Sequence, residues 1–275
     1  MPNPTVRDVH VDSAMSAIAI AYRNGLYIAD QVFPVVPVQK KSDYYFLFDK
    51  SSFFRDEVAP RAPGTRAAEA DYGLSTGSYN CVTYSLAHQV TDEERKNADA
   101  PLLPDIQATE FVTSKLLLAL ERRVAALTTG GSGSWIQSSS PTTQWTDPTS
   151  TPLEDIEGAI NTVVQSIGRL PNVAVMSWDV WRALKVHPDL LDRIKYTRPG
   201  GNVLTDDLSS WFGLQKVLVG TQLYDKAIEG ATASLAYIWG DQVWFGWVPP
   251  TAAIREPAAG YIFEWVTRAI SRYRE

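Results

Sequence analysis

Two aromatic, alternating segments held apart by a long charged stretch constrain the fold of this chain most. Residues 44–48 (YYFLF) and 79–86 (YNCVTYSL) have the residue types and the alternation of β-strands. Roughly thirty charged and turn-forming residues separate them, and compact domains rarely carry a connection of that length without a use for it. A two-stranded projection of this kind is marginally stable alone in water. We therefore expect the projection to lie on another surface.

An apolar arm precedes the projection. Residues 32–38 (VFPVVPV) contain two prolines three positions apart, which exclude a helix and suit an extended strand at a sheet edge. Ahead of them, Ser13 is a candidate N-cap of a helix over residues 13–29 with a weak apolar stripe. An apolar arm that cannot enter the middle of a sheet is expected to lean on something else, and another subunit is a candidate.

Two helices dominate the middle of the chain. The longer is predicted over residues 105–127, with Asp105 as its cap and a glycine-rich segment after it. Its apolar residues cover more than one stripe, which predicts burial on two sides. The second is predicted over residues 151–168, where Thr151 and Glu154 have the spacing of a capping box and Gly168 ends the helix.

Short strands and helices alternate in the last third of the chain. The pattern predicts a mixed α+β fold, with one hairpin turning at Gly240. The predicted strands are 173–176, 216–219, 234–239, 243–248 and 261–266, and the predicted helices are 178–185, 188–196 and 204–214.

Composition excludes several classes of function. The chain has 275 residues, 45% of them apolar and 20% charged, an ordinary balance for a protein with a buried core. Its net charge of -6 and the lack of a basic stripe argue against a dedicated nucleic-acid binder. With Cys81 as the single cysteine and three histidines, neither a cysteine-based nor a multi-histidine metal site is expected. No apolar stretch is long enough to span a membrane, and residues 1–7 lack a secretory signal.

Catalytic motifs are also missing. Residues 130–134 (GGSGS) follow a helix and lack the Gly-Lys-Ser/Thr ending of a phosphate-binding loop. His88 and His187 have no evident nucleophile beside them, and residues 92–94 (DEE) after Thr91 suit the first turn of a helix. We therefore predict no catalytic, cofactor-binding or metal-binding residue and no cofactor. An α/β enzyme with an unrecognised site in the C-terminal half is an alternative.

The charged connection between the two aromatic segments has two interpretations. It is either a solvated loop or a projection that forms salt bridges with a neighbouring copy, because complementary charges set register and specificity at interfaces. The residues expected in such contacts include Arg55, Asp56, Glu57, Arg61 and Arg66. For Arg268, Arg272 and Arg274, a solvated tail or an intersubunit pair is expected rather than a nucleic-acid site.

Several short blocks, taken in their order along the chain, resemble the major capsid proteins of tailed bacteriophages. The resemblance runs from about residue 10 to residue 265. The blocks are ADQVFPVVPV (29–38), YYFLFDK (44–50), RDE (55–57), RAPGT (61–65), DEER and ADAP (92–101), RIKY (193–196) and WG (239–240).

This resemblance implies a Hong Kong 97-type capsid fold. The axial domain of that fold surrounds the rotational axes of hexamers and pentamers, and the last strand returns to the peripheral domain. The implied parts are an N-terminal arm (1–38), an extended loop (39–90), a peripheral domain (91–169) with a spine helix (105–127), an axial domain (170–250) and a C-terminal strand (251–275).

The implied function is structural. Copies of the chain would self-assemble into hexamers and pentamers that form an icosahedral head around double-stranded DNA, without sequence-specific binding and without a membrane. The expected location is the virion, after assembly in the host cytoplasm. Intersubunit contacts are expected from the charged residues named above and from Phe33 and Val35. An encapsulin-like compartment, which shares the fold but encloses cargo protein, is the alternative within this class.

This sequence differs from some relatives in two ways that change which partners and crosslinks are expected. Some relatives carry a long N-terminal scaffolding segment, whereas only a short arm precedes the loop here, so a separate scaffolding protein or none is expected. A portal and a cement protein are further candidate partners. Some relatives also crosslink a loop lysine to an asparagine of a neighbour. Lys40, Lys41 and Lys50 lie in or near the loop, but no asparagine partner stands out, and no crosslink is expected.

Overall fold

A computed structural model describes residues 26–98, 102–129, 140–196, 201–252 and 256–265. Most of the helix predicted over residues 13–29, the glycine-rich segment after the long helix and the three C-terminal arginines lie outside these residues. Two compact units make up the chain: a larger unit of Met1–Val32 with Tyr84–Val248, and a hairpin unit of Phe33–Thr83 with Pro249–Glu275.

Helices and strands are interspersed along the described chain, which confirms the mixed α+β class. The helices are α1 (Ala29–Val32), α2 (Lys50–Phe54), α3 (Asp92–Asn97), α4 (Pro104–Thr129), α5 (Pro152–Ile167), α6 (Trp178–Lys185), α7 (Pro188–Ile194) and α8 (Thr205–Phe212). The strands are β1 (Val35–Val38), β2 (Ser42–Phe48), β3 (Leu74–Asn80), β4 (Val173–Ser177), β5 (Lys216–Gly220), β6 (Leu223–Asp225), β7 (Leu235–Tyr237), β8 (Val243–Gly246) and β9 (Ile262–Trp265).

The core of the larger unit lies around a three-stranded sheet of order β5-β4-β8. The central strand β4 runs parallel to β5 and antiparallel to β8. All five of its residues are buried, which explains why its sequence, VAVMS, is almost continuously apolar instead of alternating. Apolar residues of α5, α6, α7 and α8 join β4 in one buried cluster, which includes Ile156, Leu184, Leu190 and Leu208.

Side-chain caps fix the starts of the short helices. The Ser177 hydroxyl accepts a hydrogen bond from the Val180 backbone N–H at the start of α6. Thr91 and Glu94 form a reciprocal capping box at α3, so the acidic residues predicted for a first helical turn are there. The capping box predicted at Thr151 is wrong, because the Thr151 side chain makes no cap hydrogen bond.

An aspartate of another helix takes the place of the predicted cap at α5. The Leu153 backbone N–H in the first turn of α5 donates to the carboxylate of Asp189 (3.2 Å), which lies in the first turn of α7. The end of α5 is as predicted, because Gly168 has a φ of 69° and ends the helix in the left-handed conformation.

The hairpin predicted over residues 234–248 is wrong. Strand β7 pairs with β6, whereas β8 pairs with β4 in the central sheet. Gly240 does turn the chain, with a φ of 59°, but the strands on either side of it enter different sheets. The apolar residues of β8 are drawn to the core around β4, and that tertiary packing overrides the local turn signal.

Helix α4 begins one residue earlier than predicted and is less buried than predicted. The backbone N–H groups of Ile106 and Gln107 both donate to the Leu103 carbonyl, so Asp105 is not the cap. Its carboxylate instead pairs with Arg95 of α3 (3.0 Å). The buried residues of α4 are confined to its last third, at Glu121, Val124, Ala125 and Thr128. The prediction that α4 is buried on two sides is therefore wrong for the described residues.

The hairpin unit contains two ribbons of two strands. Strand β1 pairs in parallel with β9, which confirms the edge strand that the prolines of residues 32–38 predict. Strand β2 pairs antiparallel with β3, from Ser42 opposite Asn80 to Phe48 opposite Leu74. The second strand thus lies at 74–80 and not at the predicted 79–86. A further backbone hydrogen bond joins the Cys81 N–H, just after β3, to the Lys41 carbonyl, just before β2.

A buried carboxylate joins three elements of the larger unit. Glu121 of α4 accepts hydrogen bonds from the Trp239 indole N–H (2.7 Å) and from the backbone N–H groups of Ala29 (2.8 Å) and Ile28 (3.1 Å). Burial raises the pKa of Glu121 above its ordinary value, while these three donors oppose the rise. The start of α1 is thereby fixed to α4, since its free N–H groups point at this carboxylate.

We predict that Gly220→Ala destabilises the larger unit. A Cβ atom at this position would overlap the indole ring of Trp239, so either β5 or the ring must move away from Glu121. Overpacking of this kind costs about 1–3 kcal/mol of the free energy of unfolding, measured by urea titration. The matched control is Gly158→Ala in α5, where nothing lies near the new methyl group. That control is expected to stabilise the protein by about 0.5–1 kcal/mol, and equal effects of the two substitutions would contradict the prediction.

We predict that Glu121→Gln changes how stability depends on pH. Because burial raises the folded-state pKa of Glu121 above 4.5, the folded protein holds this proton more tightly than the unfolded chain does. The stability linked to this proton is present at low pH and is lost as the pH rises through the folded-state pKa. Urea titrations between about pH 4 and pH 8 should show wild type losing stability relative to the glutamine variant.

Glu157→Gln, at an exposed position of α5, is the control for removal of one carboxylate. A wild type that instead gains stability over the Glu121→Gln variant as the pH rises would contradict the prediction. That result would mean that the three N–H donors outweigh burial at this site.

Candidate functional site

The β2–β3 ribbon has one face that is apolar and open. Residues directly opposite each other in an antiparallel pair share a face. One face carries Tyr44, Phe46 and Phe48 of β2, opposite Ser78, Thr76 and Leu74 of β3. The side chains of Tyr44 and Phe46 are 74% and 66% exposed. Large aromatic side chains so exposed on one face are typical of a surface that another protein covers.

The opposite face of the ribbon is partly covered within the hairpin unit. The rings of Tyr45 and Tyr79 pack on Phe263 of β9, with ring centroids 5.8 Å and 4.7 Å apart. The Trp265 indole N–H also donates to the Gln39 carbonyl (3.1 Å). These contacts hold the base of the ribbon to the β1–β9 pair, while Tyr44 and Phe46 on the other face stay exposed.

A compact turn connects the ribbon to the charged residues beyond it. The Asp49 backbone N–H donates to the Gly73 carbonyl (3.0 Å), and the Asp49 carboxylate caps α2 by accepting from the Ser51 N–H (3.1 Å). Hydrogen bonds from Ser51 lower the pKa of Asp49. The rings of Phe48, Phe53 and Tyr72 form a cluster with centroids 6.0–6.2 Å apart. The charged connection is therefore well defined where it leaves β2 and where it enters β3.

The five charged residues predicted for intersubunit contacts lie together in the connection between β2 and β3. Arg55 pairs with Glu57 (3.0 Å), Arg66 pairs with Glu69 (2.6 Å), and the Asp56 carboxylate accepts from the Val58 N–H. Exposed pairs of this kind contribute little to stability. Arg61 forms no ion pair with any residue in the described ranges. Because all five side chains are exposed, a neighbouring molecule could contact their charged groups.

The two apolar residues predicted for intersubunit contacts lie elsewhere in the hairpin unit. Phe33 is only 5% exposed and packs against Gly260, so its side chain has little area left for a neighbour. Val35 lies in β1 opposite Ile262 and keeps a partly exposed side chain. The charged residues thus share one connection in the chain, whereas Phe33 and Val35 lie outside it. An intersubunit role for all seven residues stays a prediction.

One serine–histidine pair tests the enzyme alternative. Ser150 Oγ lies 3.0 Å from Nε2 of His187, an arrangement that nucleophilic catalysis uses. The Asp189 backbone N–H donates to His187 Nδ1 (3.2 Å), which assigns the proton of the neutral ring to Nε2. Nε2–H then donates to the Asp147 carbonyl (3.1 Å). A general base needs a lone pair on the nitrogen that faces the serine, so this pair stabilises the turn before α5 and does not activate Ser150.

Depressions of about 370 Å³ and about 400 Å³ lie on the described part of the larger unit. The first lies beside Trp145, Arg182 and His187, and the second lies beside α4 at His88 and Phe111. Among the residues that the structure describes, no group of three or more histidine, cysteine, aspartate or glutamate side chains could hold a metal ion. Within the same ranges, no helix is long and apolar enough to cross a membrane.

Two features were not predicted from the sequence. The first is the role of Glu121 as the acceptor that joins α1, α4 and Trp239. A carboxylate between the apolar runs LLLAL and VAAL, with Arg122 and Arg123 directly after it, gave only a weak signal of burial. The second is the cluster of Phe48, Phe53 and Tyr72, for which only the general aromatic excess gave a signal.

Known proteins resemble the chain over most of its length. It is 29% identical over 239 residues to a major capsid protein of Pseudomonas phage JBD67, which covers 86% of this chain and 76% of that protein. It is also 29% identical over 249 residues to a major capsid protein of Burkholderia phage BcepMu, with coverage of 87% and 76%. A solved phage-related protein from Bordetella bronchiseptica RB50 superposes with a TM-score of 0.65 at 28% identity, covering 93% of this chain and 83% of that one.

No protein-family model matches the chain. The two capsid proteins nevertheless match most of the chain at the same identity, and both carry the same name. The resemblance to phage major capsid proteins that the ordered sequence blocks predict is therefore confirmed.

Proposed function

We propose that this chain is the major structural subunit of a tailed-phage head and that it acts by self-assembly, not by catalysis. Its copies would form hexamers and pentamers that build an icosahedral shell around phage DNA. The observation that carries the proposal is the similarity to a phage major capsid protein over 86% of the chain. The open aromatic face of the β2–β3 ribbon supports it, because that face needs a partner.

In this proposal the elements take the places of a Hong Kong 97-type subunit. The chain to residue 38 is the arm, residues 39–90 with the β2–β3 ribbon are the extended loop, and α4, 26 residues long, is the spine of the peripheral domain. The β5-β4-β8 sheet is the centre of the axial domain, and β9 is the returning C-terminal strand.

Assembly in this proposal depends on many modest contacts repeated by near-symmetry. Full burial of one large apolar side chain contributes about 1.5–3 kcal/mol, so covering Tyr44 and Phe46 stabilises each contact moderately. The charged residues between β2 and β3 add orientation, because complementary charges favour one register over others. Each interface stays weak alone, and closure of the shell makes the sum large.

The net charge fits a shell that confines DNA. At -6 for each subunit, the protein has no general attraction for phosphates, so the packaged DNA would not adhere strongly to the wall. We accordingly propose no sequence-specific DNA contact. A scaffolding protein, a portal and a cement protein are proposed partners, and the proposed location is the virion after assembly in the host cytoplasm.

Sedimentation of the purified wild-type protein tests the proposed function. Shell-sized particles, or rings of five and six subunits, are expected at high protein concentration. A single monomeric or dimeric species that persists with a crowding agent present would contradict self-assembly as the function.

We predict that the double substitution Arg55→Glu and Arg61→Glu impairs assembly and leaves each subunit folded. Both side chains are exposed between β2 and β3, so their reversal removes no buried contact within the subunit. Mismatched charges at an interface disfavour association. The protein concentration at which particles form should rise at least about tenfold, which corresponds to about 1.4 kcal/mol, while the midpoint of urea unfolding stays unchanged.

The matched control is Arg55→Lys with Arg61→Lys, which keeps both positive charges and should assemble as wild type does. Normal particles from the glutamate variant would remove the case for an electrostatic contact at this loop. The wild-type sedimentation result would still stand in that case, so the two outcomes are separable.

A further inference from the structure

Gln222 is a buried polar side chain at a junction within the larger unit. Together with Thr221 it connects β5 of the central sheet to β6, which pairs with β7. The Gln222 backbone carbonyl accepts from the N–H of Ile238 (3.0 Å), just after β7. Gln222 is 0% exposed, and Ile238 and the following Trp239 are 8% and 1% exposed. The side-chain amide of Gln222 therefore has no access to bulk solvent.

The amide of Gln222 has unused hydrogen-bonding capacity. Among the residues that the structure describes, neither Oε1 nor Nε2 of Gln222 has a hydrogen-bond partner. A primary amide offers two N–H donors and one carbonyl acceptor, and buried groups of this kind are nearly always paired with protein atoms or with ordered water. Leaving both ends unpaired costs more free energy than immobilising one water molecule. The amide therefore needs a small polar partner.

Asn172 shows how the same unit pairs another buried amide. Its Nδ2 donates to the Val248 carbonyl (2.6 Å), and its Oδ1 accepts from the Val248 N–H (2.7 Å). Both ends of that amide thus pair with one residue that donates and accepts. The carbonyl of a primary amide and the N–H on the same side of its C–N bond point in the same direction. A single molecule that both donates and accepts can therefore pair with both ends of Gln222.

The donors and acceptors of the amide identify that molecule. A cation would pair only with Oε1 and an anion only with Nε2, whereas water accepts from the N–H and donates to the carbonyl. Complete burial of Gln222 favours the smallest such molecule. We propose that Gln222 holds an internal water molecule that hydrogen-bonds to both ends of its amide at the junction of β5 and β6. The inference depends on the burial of Gln222 and not on the proposed function.

A density map of the full-length wild-type protein that resolves ordered water tests this proposal. We expect one peak at about 2.7–3.2 Å from both Oε1 and Nε2 of Gln222. Asn172 is the control within the same map, because its amide pairs with Val248 at both ends and should show no such bridging peak. A Gln222 amide that bonds directly to protein groups, or that has no peak beside it, would overturn the proposal.

The variant Gln222→Met provides the second measurement. It nearly keeps the length of the side chain and removes both polar ends of the amide, so the peak should be lost from its map. A peak that persists in the variant would overturn the proposal, because other groups would then hold the water. If the variant does not fold, the wild-type map decides alone. Crystals of the subunit and particles serve equally for these maps, so the outcome is separable from the proposed function.

Discussion

A two-stranded ribbon cannot bury both of its faces by itself, and the face left exposed favours association with another protein. The β2–β3 ribbon covers one face with Phe263 of β9, and the other face presents Tyr44 and Phe46 to solvent. Aromatic residues at that level of exposure make a monomer prone to association. A subunit that repeats this unsatisfied surface in every copy is suited to assembly, where a neighbour supplies what the ribbon lacks. In the proposed assembly, the charged residues between the strands would orient the subunits, because exposed ion pairs add little energy but reject wrong registers.

In the larger unit, a buried polar contact fixes the short helix α1 to the long helix α4. Glu121 does this with one carboxylate, which accepts from two backbone N–H groups at the start of α1 and from the indole of Trp239. A buried carboxylate is tolerated because its oxygens are hydrogen-bonded, and the loss of any donor would leave a desolvated charge. Gly220 permits the arrangement by leaving room for the Trp239 ring.

The local sequence pattern predicted where helices and strands lie better than it predicted which strands pair and which helix faces are buried. The pattern of α5 and the Gly168 end were predicted because periodicity and a left-handed cap are local properties. The strand at 79–86 was displaced to Leu74–Asn80 because pairing with Ser42–Phe48, and not alternation, sets where the ribbon ends. The burial of α4 was overestimated because its apolar residues were assumed to face this chain's own core. The position of the charged residues in an exposed connection could be predicted from the sequence, and their intersubunit role stays a prediction. The contacts of Glu121 with Trp239 and of Phe53 with Tyr72 join residues distant in sequence, which no local pattern indicates.

The proposed assembly requires a neighbouring copy to cover the face of the ribbon that carries Tyr44 and Phe46. Cryo-electron microscopy of particles formed by the purified protein tests it most directly, because a map of such particles shows what lies on Tyr44 and Phe46. We predict rings of five and six subunits in closed shells, with density of an adjacent subunit packed against both side chains and charged groups of that subunit near Arg55 and Arg61. Particles in which this face stays open to solvent would contradict the claim, as would a protein that forms only discrete monomers or dimers.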